Sequence, residues 1–218
     1  MEARQWLFRA RAEALLADIK SLELNRSSWS DAQRLMNRWG KWGGWYGSCN
    51  PQECRYSIQI YHLLSIYPPN EGPHIGARIL ESVGLRSGRA TAIIVVSRGV
   101  ITSKEFGLDA TLPVNQWITR FENGTSSYWP SVQAAVWEGV EIQSTPFQIT
   151  EHPNRSVVLR RTVLEASFTP NESLHEQATL TDFQFGCITR WTPCTTWGEL
   201  LPRAAQQFEA DSQQSHSQ

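Results

Sequence analysis

Four cysteines in two close pairs are the residues of this chain best suited to covalent chemistry: Cys49-Asn-Pro-Gln-Glu-Cys54 and Cys187-Ile-Thr-Arg-Trp-Thr-Pro-Cys194. Short-range pairs read most naturally as disulfides, which persist only in oxidising compartments. Pro51 and Pro193 lie inside the two loops and pre-bend the backbone, which favours local pairing. Cross-pairing stays open, because sequence cannot fix connectivity. Closing loops this short contributes about 2 to 2.5 kcal/mol each, enough to staple a loop but not to hold a fold. Zinc is the rival chemistry, and its structural sites space paired ligands by about two to four residues. The four-residue gap of the first pair is at the edge of that range, and the six-residue gap of the second is outside it.

A nucleophilic thiol is the third candidate. Gly47-Ser48-Cys49 resembles the Gly-Ser-Cys of papain-like proteases, with His175 downstream. That signature needs a cysteine directly before its Gly-Ser-Cys and an aromatic after it. Those positions hold Tyr46 and Asn50, and Cys54 would capture Cys49.

Ten tryptophans are the compositional outlier, and Trp39, Trp42 and Trp45 recur every third residue beside Tyr46. Exposed indoles stack on sugars or on peptide prolines, which makes Trp39, Trp42, Trp45 and Tyr46 a candidate glycan- or partner-binding strip. The competing reading, which we favour, is that these rings fill the core. Glu172, His175 and Glu176 would share one face of a helix over Asn171 to Ala178. Carboxylate-bridged metal sites use such a Glu-x-x-His unit twice, with further glutamates, and one copy here reads as a solvated face. His62, His74 and His152 show no ligand or triad spacing. No phosphate-cradling glycine loop and no Gly-x-Ser-x-Gly occurs, so neither cofactor nor metal is expected.

Charge narrows the partners. Twenty Lys+Arg against 21 Asp+Glu leave a net charge of −1, unlike a nucleic-acid binder or a polybasic membrane-surface protein. No stretch has the length of an apolar membrane span, and the start lacks the short apolar core of a signal peptide. Arg4-Gln-Trp6-Leu7-Phe8-Arg9-Ala10-Arg11 nonetheless looks like a segment leaving a bilayer, or else an amphipathic helix start. The cysteines and the missing signal are reconciled if an anchor precedes Met1.

These residues must be positioned by elements that the pattern suggests. A first helix is expected from about Ala3 to Leu22, with Leu15, Ile19 and Leu22 as a narrow apolar stripe. Ser28, with Asp31, opens a second helix whose apolar face is Ala32, Leu35, Met36 and Trp39, and Gly40 is its terminator. The glycines between Trp39 and Gly47 forbid regular helix there. Arg55 to Ile60 alternates as a strand with Tyr56, Ile58 and Ile60 on one face. Thr91 to Ser97 and Val100 to Phe106 form a hairpin through Arg98-Gly99. Further strands are expected near Val140 to Gln143, Phe147 to Thr150, Ser156 to Phe168 and Thr181 to Ile188. Thr196-Trp-Gly-Glu199 resembles a capping box before a last helix that Pro202 delays or kinks. The fold class is therefore α+β: two N-terminal helices packed on a mainly antiparallel sheet, with a short C-terminal helix. By residue, 1–26 is an N-terminal helix with juxtamembrane character, 27–210 a single α+β domain, and 211–218 a disordered tail.

The stretch from Leu15 to Gly40, followed by a strand carrying Tyr56 and Ile58, resembles the helix-helix-strand opening of small outer-membrane lipoproteins of the BamE/SmpA type. The glycine that family places before the capping residue is replaced by Arg26-Ser27. Phe183-Gln-Phe-Gly-Cys187, Cys194 and Glu199-Leu-Leu-Pro202 resemble the close of uncharacterised bacterial proteins carrying an N-terminal membrane anchor. The resemblance implies an extracytoplasmic location in the periplasm or cell envelope, and no activity. The expectation is thus a non-enzymatic interaction or structural module of the envelope, contacting an envelope protein or glycan and touching membrane only through the missing anchor. Its rival is a glycan-binding or glycan-processing hydrolase built on Trp39–Tyr46, with Asp109 or Glu122 as carboxylates about 5 to 9.5 Å apart.

Overall fold

Apolar residues spaced three and four apart make the first helix. In the computed structural model α1 runs Ala3–Lys20 and buries Gln5, Phe8, Ala12, Leu15, Leu16 and Ile19. The buried stripe is therefore two turns longer than Leu15, Ile19 and Leu22 suggest, and Trp6 and Leu7 lie off it. The structure describes residues 3–45, 47–62, 88–111, 131–139, 151–152, 155–160, 163–168, 173, 175, 178, 181–189, 194 and 196–215. Beyond α1 the chain reverses through Asn25, which takes a left-handed φ of 61° that asparagine tolerates.

α2 (Trp29–Trp39) starts where Asp31 reaches back to Ser28. The carboxylate accepts from the Ser28 backbone N–H at 2.6 Å and from its hydroxyl at 2.9 Å. Gly40 does follow the last helical residue, but with a right-handed φ of −56°, not the left-handed turn of a glycine cap. The helix ends instead through a tight turn in which the Trp42 N–H donates to the Trp39 carbonyl at 2.9 Å. Gly43 then enters the sheet as the start of β1 (Gly43–Trp45). A side chain there would overlap the Tyr56 ring, so only glycine permits this approach.

β2 (Glu53–Tyr61), β3 (Gly88–Ser97) and β4 (Val100–Thr111) form the antiparallel centre of the sheet. Register places Tyr56, Ile94 and Lys104 in one row, Ile58, Ala92 and Phe106 in the next, and Ile60, Ala90 and Leu108 beyond. All nine are buried on the same face. The β3–β4 turn is Arg98-Gly99, with φ values of 53° and 81°, the doubly positive pair of the commonest two-residue hairpin. A bulge follows at Thr102, between the pairs Val95↔Ser103 and Val96↔Ile101. β5 (Ser131–Gly139) extends the sheet, and β6 (Glu151–His152), β7 (Arg155–Arg160) and β8 (Val163–Phe168) complete the order β1-β2-β3-β4-β5-β8-β7-β6. Among the described strands only β5 and β8 pair in parallel, so the sheet is mainly antiparallel and the fold is α+β. The expected strands at Val140 to Gln143 and Phe147 to Thr150 lie outside the described residues. The expected strand from Ser156 to Phe168 is the β7–β8 hairpin.

Two expectations for the C-terminal part are corrected. Thr181 to Ile188 is not a strand: Phe183 and Phe185 do point into the core, but the Gln184 N–H donates to Leu200 at 2.8 Å. The segment closes with the short helix α3 (Gly186–Thr189). Its alternation arises from two phenylalanines packing on Phe106, with ring centroids 5.0 and 6.2 Å away, and not from strand pairing. Next come α4 (Trp197–Leu200) and α5 (Pro202–Ser215). Pro202 begins α5 at the position where its missing N–H has no partner to lose. The tail expected to be disordered from Asp211 continues this helix to Ser215, since Ala, Gln and Glu before it already propagate the turn. α1, α2, Phe183, Phe185, Leu200, Leu201 and Ala204 close one core over the sheet.

Candidate functional site

The aromatic strip and α1 run side by side, and their contacts decide what each tryptophan can do. Leu7, Arg11, Ala14 and Asp18 succeed one another at i, i+4, i+7 and i+11, which places them along one side of α1. At the far end of that row the indole N–H of Trp39 donates to an Asp18 carboxylate oxygen at 2.7 Å, and Arg38 holds the other oxygen at 2.7 Å. Trp39 is 4% exposed. One step on, the Arg11 guanidinium lies 5.0 Å from the centre of the half-buried Trp42 ring, with Lys41 at 5.6 Å and the Trp39 ring at 5.6 Å. The row then opens. Leu7 is 49% exposed on the helix, and Trp45, next in the strip, is 62% exposed. Trp6 beside Leu7 is 51% exposed, its ring faced by Arg9 at 5.4 Å.

The strip is thus not one surface. Trp39 belongs to the core, Trp42 is already faced by two cations, Trp45 projects into solvent, and Tyr46 lies outside the described residues. Trp6 and Leu7, read from sequence only as part of a helix start, are exposed near the start of α1, where Phe8 faces His62 just past the end of β2, whereas Trp45 pairs with Tyr56 towards the other end of that strand. The signal that would have found them is the phase of the apolar stripe, which Trp6 and Leu7 do not share with Phe8, Ala12 and Leu15.

The closed end carries a groove of about 310 Å³ lined by Asp18, Ser21, Asp31, Arg34 and Arg38 over Leu22 and Leu35. Both of its guanidiniums are engaged, Arg38 with Asp18 and Arg34 with Asp31. Two Ser28 donors, and then Arg34, hold the Asp31 carboxyl below the usual carboxylate value. Burial lowers the Lys20 ammonium, Asp182 opposing and Lys104 adding to the shift, and burial raises the Tyr56 phenol.

Of the other candidates, Cys49 pairs with Cys54 and Cys187 with Cys194, at Cα separations of 4.1 and 5.2 Å. Local pairing is the connectivity, and a disulfide-bonded Cys49 offers no nucleophilic thiol. Two disulfides mark an oxidising setting, extracytoplasmic or secreted. The first loop is held by the Asn50 side chain, which accepts from Gln52 and Glu53, and its Pro51 and Gln52 carbonyls accept from Gly99 and Arg98. His175 is exposed, whereas Glu172 and Glu176 lie outside the described residues. His62 is buried with its ring 6.1 Å from Phe8; His74 is not described, and His152 is in β6. Among the described residues no group of three or more His, Cys, Asp or Glu could hold a metal. Asp109 falls in the register row of Arg89 and Tyr61, three strands from β1. That is about 14 Å across the sheet from the strip. Glu122 lies outside the described residues. No described helix is long and apolar enough to cross a membrane.

No protein-family model, curated protein or solved structure matches the chain.

Proposed function

We propose that this chain is a non-enzymatic interaction module of the bacterial cell envelope, with Trp6 and Leu7 on α1 and, separately, Trp45 on β1 as its exposed apolar contacts. The observation that carries the reading is the pair of local disulfides, for such bonds are stable only outside the reducing cytosol. The exposure of Trp6, Leu7 and Trp45, three of the four exposed large hydrophobics among the described residues, supports it. Tethering by an anchor preceding Met1 belongs to the same proposal. Alkylation of an oxidised envelope extract followed by intact-mass measurement tests it. The expected result is no alkylated thiol before reduction and four after; four alkylatable thiols before reduction would refute the reading.

A glycan ligand is a second reading, favoured by the bare indole of Trp45 alone. Trp42 is a poor platform, because Arg11 and Lys41 already face its ring. A glycan-array signal lost in Trp45→Ala supports that version.

A further inference from the structure

We infer that the Cys49–Cys54 bridge is a site of thiol–disulfide exchange, opened by a dithiol that attacks Cys49, whereas the Cys187–Cys194 bridge is a permanent staple. This rests on the two disulfides of the reading above and adds a chemistry to one of them. Three observations carry it.

The bridges differ in access. Cys49 is half-buried, whereas Cys54, Cys187 and Cys194 are 0, 2 and 1% exposed. Exchange proceeds by attack of a thiolate on a disulfide sulfur, so its rate depends on which sulfur can be reached. Of the four cysteines only Cys49 can be approached in the folded chain. Gly47, Ser48, Asn50, Pro51 and Gln52 around it are exposed and leave room for a reagent. Cys187 instead belongs to the core, its sulfur 3.2 Å from the Glu199 carbonyl oxygen of α4.

The loop keeps its shape without the sulfur bond. The Asn50 side chain accepts from the Gln52 and Glu53 N–H groups at 2.8 and 3.2 Å, and the Asn50 N–H donates to the Glu53 carbonyl at 3.1 Å. The Pro51 and Gln52 carbonyls accept from Gly99 and Arg98 at 2.6 and 3.0 Å. After reduction these bonds hold the two thiols as neighbours, so the bridge can close again within the folded chain.

Opening also spares the sheet. Cys54 pairs with Val96 through the β2–β3 ladder, and β1 covers only Tyr56 to Ile58 of the β2 edge. No strand pairing passes through Cys49.

In the first step a thiolate of the dithiol attacks the Cys49 sulfur. A mixed disulfide forms at Cys49 while the Cys49–Cys54 bond breaks, and Cys54 leaves with the electron pair and takes a proton from water. The second thiolate of the dithiol then attacks its own partner sulfur, and Cys49 leaves and is protonated in turn. The protein disulfide has gained two electrons and two protons, and the dithiol has become a disulfide.

The test exposes the oxidised, folded full chain to dithiothreitol for graded times, followed by alkylation, intact mass and peptide mapping. Cys49 and Cys54 are expected to be alkylated at least about tenfold faster than Cys187 and Cys194. The near-ultraviolet circular dichroism should persist as they open, and oxidised glutathione should restore the bridge once the reductant is removed. Equal rates for the two pairs, earlier opening of Cys187–Cys194, resistance of both until urea is added, or loss of the dichroism together with the first bridge each overturn the proposal. Cys54→Ser leaves Cys49 as a lone thiol, and Cys49→Ser leaves Cys54. An aromatic disulfide reagent is expected to react with the first at least about tenfold faster, and equal rates overturn the attack at Cys49. The opening rates of the unaltered chain decide the matter whether or not these variants fold. Four thiols before any reductant would instead remove the disulfides and the reading above with them, whereas equal opening of two closed bridges leaves that reading intact.

Discussion

Trp39 and Trp45 are six residues apart in one aromatic-glycine run, yet one is a core residue and the other projects into water. The difference is not in the residues but in what stands opposite. Trp39 meets Asp18, whose carboxylate takes the indole proton and is itself held by Arg38. Trp45 ends the edge strand β1 and is turned to solvent. A buried indole needs an acceptor, and the one that has it is inside. The row along α1 differs in the same way, closed by charge and packing at Asp18 and open at Leu7.

The largest test of that contrast is truncation at each end. Trp39→Ala should cost about 3 to 5 kcal/mol, because it removes a large buried ring and takes the indole donor from Asp18. Trp45→Ala should change stability by no more than about 0.5 kcal/mol. Urea unfolding of both variants decides the matter, and equal losses would erase the distinction.

The disulfides sharpen the comparison at a smaller scale. Serine at both Cys49 and Cys54, or at both Cys187 and Cys194, should each lower stability by about 2 kcal/mol in the loop-closure account. Neither change should weaken the Asp18–Trp39 contact, since the first pair closes the loop before β2, whose carbonyls bond the β3–β4 turn, and the second begins in α3. Near-ultraviolet circular dichroism of the tryptophans should therefore keep its folded form in both. A collapse of that signal in the Cys49, Cys54 variant would mean that the closed end depends on its neighbouring staple.

How far the sequence reaches follows the same line. The Arg98-Gly99 hairpin, the Tyr56-Ile58-Ile60 face and the Ser28–Asp31 start were legible because each is decided by a few adjacent residues. The cysteine pairing was legible in preference but not in fact, since cross-pairing needs long-range geometry to dismiss it. Phe183 and Phe185 misled because alternation records which way side chains point, and a loop packed on Phe106 points them as a strand would. The helix beyond Asp211 was missed because polarity was read as disorder, although a helix already begun at Pro202 extends through polar residues. The division of the strip was out of reach, for nothing near Trp39 reveals that Asp18 waits on another helix.

The smallest effect concerns what opens the closed end. Asp31 accepts two hydrogen bonds from Ser28 and pairs with Arg34, so its carboxyl in the folded chain is held below its ordinary value of 3.8. A depressed carboxyl contributes stability that is present above the unfolded value and lost as pH falls through the folded one. The unaltered chain should accordingly melt higher than Asp31→Asn at neutral pH. The gap should narrow once pH drops below about 3.8 and close when the folded carboxyl is also protonated. Melting temperatures of the two proteins from pH 7 to pH 2 measure this directly. A gap that stays constant to the acid limit would show that the contribution of Asp31 lies in shape alone, and that the start of α2 is closed by hydrogen-bond geometry without charge.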